Sequence, residues 1–260
     1  MNFKHLTIAA SISLFLIYFI LIFSMFSFVK PGNFIDILIS KRVLFSLKLS
    51  FITAMISTAL SITIAIPTAY ALSRYKFPGC QFVDLILELP LVISPVALGA
   101  ALLIFFNTSA GNFIQNNLMT FVYDVKGIIL AQFITTAGLA TRIIKAALVE
   151  ISPRYEKVAR CLGASGMQSF RTITLPMLRK GIISATIISF AKSLGEFGAT
   201  VTLAGAMPGK TETISTAIST KLASAQLEET VVLILILIGS GITFIFLAQL
   251  LSKKNTGDNL

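Results

Sequence analysis

The stretch from Ser152 to Pro176 reads S-P-R-Y-E-K-V-A-R-C-L-G-A-S-G-M-Q-S-F-R-T-I-T-L-P and lies between two strongly apolar runs, 128–148 and 177–203. Its local chemistry predicts two short helices. Ser152 is placed as an N-cap and Pro153 at the first helical position, where a missing N–H costs nothing. Tyr155 to Leu162 then makes two turns, and Gly163 stops them as a C-terminal glycine can. Ser165 with Gln168 three residues later forms a capping box, opening a second helix that ends before Pro176 in this reading. Arg154, Lys157, Arg160, Gln168 and Arg171 fall on polar faces, while Val158, Leu162, Phe170 and Leu175 are available to pack against the flanking spans.

Working outward, the 260 residues are 55% hydrophobic and only 12% charged. Soluble domains carry about 25% charged residues, so water is not the main solvent of this chain. A helix needs about 20 apolar residues to cross a bilayer. Runs at 6–29, 44–72, 82–106, 128–148, 177–203 and 230–251 satisfy this, giving an all-α polytopic membrane protein with six transmembrane helices. Residues 1–260 then form one transmembrane domain, with 152–176 as a surface loop and no room for a soluble catalytic domain. The first run is longer than the 7 to 15 residues typical of a signal peptide core, and it is read as a retained span.

An even number of spans puts both termini on one side. The tails, the 73–81 loop and the 142–180 segment hold thirteen basic residues against seven on the opposite side, which favours cytoplasmic termini in the cell membrane. The net charge of +10 therefore reports topology, and no nucleic-acid partner is expected. Cys80 and Cys161 fall on the cytoplasmic side, where thiols stay reduced, and no disulfide is expected. His5 alone cannot build a metal site. The Asn-rich segment 107–126 reads as a loop with little helix of its own, and 204–229 as a longer external segment.

The spacing within 152–176 resembles the EAA loop of the permease subunits of binding-protein-dependent ABC importers. Glu156 and Ala159 open the pattern, Gly163 follows, and nine residues later come Ile173, Leu175 and Pro176. Lys157 departs from it, standing where the first alanine is usual. The resemblance implies the type I importer permease fold. It also implies that Glu156, Ala159, Arg160, Gly163, Ala164, Leu175 and Pro176 couple the chain to a cytoplasmic ATPase. The stretch Ser189 to Thr213, with Ile66 to Leu72 and Leu89 to Pro95, is similar to the molybdate and tungstate branch of that family, with sulfate permeases as close relatives. Partners implied are a second copy of the chain, two ATPase subunits, an extracytoplasmic oxyanion-binding protein and the lipid bilayer.

Inside the spans, Lys192 and Glu196 are four residues apart and share a helix face. The preferred expectation is a buried ion pair between them, and the alternative is that Lys192 lines a path for an anion. Pro67, Pro90 and Pro95 interrupt spans two and three; Pro90 and Pro95 are candidates for lining the path, since broken helices in lipid lie against protein or a water-filled cavity. Ala204 to Thr211 mimics a phosphate loop, but Ala204 stands where glycine is required and Pro208 interrupts the segment, so nucleotide binding is rejected. No catalytic residues, metal or cofactor are expected on this chain, and ATP hydrolysis is assigned to a separate subunit. A sulfate or thiosulfate permease is the near alternative. A secondary transporter or an integral membrane enzyme is less favoured.

Overall fold

The computed structural model describes residues 3–28 and 31–257, so the expected end of the first span at Val29 lies outside the described residues. These residues form helices joined by turns and short loops, without strands. The chain runs through α1 (Phe3–Met25), α2 (Pro31–Ile39), α3 (Lys41–Arg74), α4 (Cys80–Val92), α5 (Pro95–Phe106), α6 (Ser109–Asn117) and α7 (Val125–Glu150). It continues through α8 (Arg154–Cys161), α9 (Gly166–Ser169), α10 (Leu175–Leu194), α11 (Gly198–Ala204), α12 (Ile214–Ala223) and α13 (Leu227–Gly257). Among the described residues, five helical segments are long and apolar enough to cross a membrane, and six when α4 and α5 count as one bent span.

The core is the packing of α3, α7 and α10. Small residues make it possible: Ala65 and Ala69 on α3, Ala140 on α7 and Ala185 on α10 are fully buried with Ile144, Leu148 and Leu178 around them. A hydroxyl pair, Ser61 and Thr136 at 2.9 Å, crosses the α3–α7 contact. By contrast, α1 buries none of its side chains against the rest of the chain.

Proline acts differently at its three positions. Pro67 sits within α3, which continues unbroken to Arg74. Pro90 likewise lies inside α4. The break comes after Val92, where Ser94 caps a new helix by accepting from Ala97 N at 3.3 Å and Pro95 occupies its first turn. The result is a 114° bend between α4 and α5, in place of a straight third span.

Three further departures from the expected elements have local causes. Segment 107–126 contains α6, whose N-cap Thr108 accepts from Gly111 N, while Gln115 Oε1 accepts from Phe121 N and Val122 N to fold the following turn back. The expected stop before Pro176 does not occur. A π-turn over Phe170–Thr174, closed by Leu175 N donating to Phe170 O, carries α9 into α10, and Pro176 occupies the first turn of α10. Span five also ends early, because α10 stops at Leu194 and α11 starts at Gly198.

The 204–229 segment is pinned to the bundle. Arg42 donates from Nε to Glu212 Oε2 at 2.8 Å and from Nη2 to Oε1 at 2.6 Å, with Glu212 fully buried. Ser50 Oγ accepts from Ile214 N at 2.8 Å beside the Thr213–Thr216 capping box of α12.

Candidate functional site

The segment 152–176 folds as a helical hairpin whose local features follow its sequence. Ser152 Oγ accepts from Arg154 N at 3.4 Å, Pro153 has helical dihedral angles, and α8 runs to Cys161. Gly163 follows in the left-handed region at φ +94°, which L side chains rarely adopt. The capping box closes in both directions: Gln168 N donates to Ser165 Oγ at 3.2 Å, and Ser165 N donates to Gln168 Oε1 at 2.8 Å.

What holds the hairpin to the bundle is a buried polar cluster around Glu156. Its Oε2 accepts from Tyr70 Oη at 2.8 Å, and its Oε1 accepts from Arg74 Nε at 3.0 Å and from Thr174 Oγ1 at 2.9 Å. Ser169 Oγ reaches the Glu156 carbonyl at 3.4 Å, and Arg74 Nη2 donates to Ile151 O at 2.7 Å. Burial pushes the Glu156 carboxyl up, but the bonds from Tyr70, Arg74 and Thr174 and the Arg74 charge outweigh it and hold the group below its ordinary value. Glu156 thus faces inward and ties both arms of the hairpin to the end of α3. Its place among the residues expected to meet an ATPase becomes that of an anchor beneath the surface.

The outward surface mixes exposed basic side chains, Arg154, Lys157, Arg160 and Arg171, with an apolar patch. Val158 is 59% exposed and Leu162 84% exposed, and Tyr155 lies open beside them. Val158 and Leu162 were expected to pack against the bundle; they point the other way because the inward positions are taken by Glu156 and Ser169. Arg160 and Gly163 are exposed on the same hairpin, Ala159, Ala164 and Leu175 are half-buried, and Pro176 is exposed at the start of α10. A surface of this kind, an apolar patch rimmed by basic side chains and held from below, is suited to a protein partner.

The second feature lies where two helix breaks meet. A recess of about 470 Å³ is lined by Pro95 and Val96 from one break and by Lys192, Gly195, Glu196 and Gly198 from the other. Gly198 is required there, since a Cβ would come within 2.9 Å of Val96 N. Lys192 and Glu196 do not form the expected ion pair. The helix ends between them, so they no longer share a face, and Glu196 Oε1 instead accepts from Ala199 N at 3.0 Å, capping α11. Among the described residues Lys192 has no ion-pair partner, and it lines the recess half-buried. Pro90 is not among the lining residues of this recess.

Sequence reasoning missed Tyr70 and Arg74 as parts of the hairpin. Nothing at 70–74 signals a partner more than 80 positions away.

A bundle of membrane-spanning helices carrying a helical hairpin that is bolted to one end by buried polar contacts defines a transport subunit of the permease class. The chain belongs to the family of binding-protein-dependent transport system inner membrane components, whose model matches residues 61–257. It is 39% identical to the molybdenum transport system permease protein ModB of Escherichia coli (strain K12), over 69% of this chain and 78% of that protein. Identity to the ModB of Haemophilus influenzae is 33%, over 80% and 93% of the two chains. Identity to the sulfate transport system permease protein CysT of Salmonella typhimurium is 31%, over 72% and 68%. The fold is similar to that of a bacterial ABC transporter involved in the import of the acidic polysaccharide alginate, with a TM-score of 0.78 at 21% identity and 96% and 95% coverage. It is similar too to a bacterial alginate ABC transporter solved in complex with an alginate pentasaccharide-bound periplasmic protein, with a TM-score of 0.73 at 19% identity and 97% and 94% coverage.

Proposed function

We propose that the chain is the permease subunit of an ATP-driven importer for molybdate or tungstate. Two copies form the path, two ATPase subunits dock on the hairpins, and an extracytoplasmic binding protein delivers the anion. The observation that carries this reading is the hairpin itself, in which an exposed apolar patch around Leu162 is coupled through Glu156 to the helix α3 of the bundle core. A push on that face is transmitted to a spanning helix. The identities to two ModB proteins support the oxyanion class, and the solved complex with a periplasmic protein supports delivery from outside. An energy source is needed: a dianion moving toward a negative interior costs about 4.6 kcal/mol per 100 mV, twice the single-charge value.

The test is ATP-dependent uptake in vesicles holding the chain, its ATPase and its binding protein. Radiolabelled molybdate uptake competed by tungstate, with sulfate a weak competitor, is the expected outcome. Sulfate competing best would move the substrate to the class of the CysT relative. The orientation is tested by Lys210→Cys in a Cys80→Ser, Cys161→Ser background. Lys210 is exposed, and labelling of intact cells by a membrane-impermeant reagent is expected; labelling only after lysis reverses the topology.

A further inference from the structure

Between α4 and α7 lies a group of four charges. Lys145 Nζ donates to Asp84 Oδ2 at 2.5 Å, and Arg142 Nε stands 3.9 Å from Glu88 Oε1. The two helices are pressed together at Gly138, whose Cβ position is taken by the Leu87 carbonyl oxygen. With the 26 residues of α7 centred in a bilayer, Arg142 and Lys145 sit about 7 and 11 Å from the midplane on the hairpin side, within a hydrocarbon half-thickness of about 15 Å. Charged groups at that depth face a protein interior, a partner or water, and not lipid. Yet Arg142 is 61% exposed and Glu88 47% exposed, and they border a recess of about 220 Å³. This side of α4 and α7 is therefore the side that faces the aqueous path or the second copy.

The two pairs differ in a way that matters. Lys145 is held by a short hydrogen bond to Asp84, whereas 3.9 Å is too long for one, so among the described residues the guanidinium donors of Arg142 remain unspent. A planar guanidinium fork matches two oxygens of a tetrahedral oxyanion, while the point charge of a lysine does not. Glu88 beside it gives the arginine a carboxylate to return to, and that competition keeps an anion from being trapped, as conduction requires. The bent span links this place to the recess described above: α4 contributes Asp84 and Glu88 on the hairpin side of the break, and α5 contributes Pro95 beside Lys192 at the break itself.

We propose that Arg142 is a second anion station, which receives the oxyanion leaving the Lys192 recess and is reclaimed by Glu88 when the anion departs. This rests on the reading of the chain as an oxyanion permease. The experiment uses the whole complex in vesicles. Arg142→Gln is expected to assemble with its ATPase in normal yield and to lose about tenfold or more of uptake, the size of one charge-assisted contact, and Arg142→Lys to recover part of it. In the Cys80→Ser, Cys161→Ser background, Arg142→Cys is expected to react with small water-soluble thiol reagents. Attaching an aminoethyl cation there is expected to raise uptake, and attaching a sulfonate is not. An Arg142→Cys thiol that stays unreactive in the assembled complex overturns the station, because the position is then dry. Wild-type uptake by Arg142→Gln also overturns it, as does failed assembly of Arg142→Gln that is restored by adding Glu88→Gln. If the wild-type complex carries no molybdate, tungstate or sulfate at all, the underlying function fails instead.

Discussion

Arg74 and Glu156, 82 positions apart in the chain, meet at 3.0 Å with side chains only 8% and 6% exposed, and the same guanidinium bonds the Ile151 carbonyl where α7 gives way to the hairpin. One arginine thus fixes the end of α3, the end of α7 and the hairpin. Removing one partner of a buried pair leaves the other charge uncompensated, which costs about 3–5 kcal/mol. Glu156→Ala and Arg74→Ala are each expected to lower thermal stability in detergent by that order, and the double variant by less than their sum. Additive losses in a double-mutant cycle would show that the contact carries no coupling.

The Glu156 carboxyl also sets a pH dependence. Its folded-state pKa lies below the ordinary 4.5, so the ionised form is the stabilising one. The contribution is complete above about 4.5, shrinks as pH falls below that value, and is gone beneath the folded-state pKa. Melting temperatures of the wild type and Glu156→Gln are expected to differ at neutral pH and to converge in acid. A gap that stays constant to pH 3 would refute the linkage.

Gly163 stands at φ +94° with open space where a Cβ would go, so a substitution there meets backbone strain and no collision. Gly163→Val is expected to cost about 1–3 kcal/mol locally and to disturb the angle between α8 and α9, reducing uptake per ATP hydrolysed. Gly163→Asn, which tolerates the left-handed region better, is expected to retain most of the coupling. Equal coupling ratios for wild type and the valine variant would remove the requirement.

Leu162 offers a cleaner probe of docking, since it is 84% exposed and supports nothing beneath it. Leu162→Asp is expected to leave the melting temperature of the isolated permease within about 1 kcal/mol of stability while sharply reducing co-purification of the ATPase. Retention of the ATPase at wild-type stoichiometry would move the docking surface elsewhere.

For Lys192 the geometry reverses the expectation from sequence. Lacking an ion-pair partner among the described residues, it can be removed without stranding a buried carboxylate, because Glu196 is already engaged in capping α11. Lys192→Ala is expected to assemble normally and transport poorly. A lowered yield of complex that Glu196→Ala restores would reinstate the pair.

What the sequence determined by itself was whatever depends on near neighbours or on composition. Spans are legible because lipid demands about 20 apolar residues wherever a helix crosses. The capping box at Ser165 and Gln168 and the turn at Gly163 are legible because their partners lie within three residues, and the EAA spacing because it is a local pattern. Only the tertiary structure could decide that Glu156 faces Tyr70 and Arg74, that Leu162 faces outward, and that Lys192 and Glu196 part company at the end of α10. Arg142 and Lys145 illustrate the same limit: counted along the chain they are surface charges, and in the fold they lie within α7 opposite Asp84 and Glu88. The physical reason is that side-chain direction turns about 100° with each helical residue, so which groups meet depends on how helices rotate and cross. That is set by packing over the whole bundle, and no window of sequence contains it.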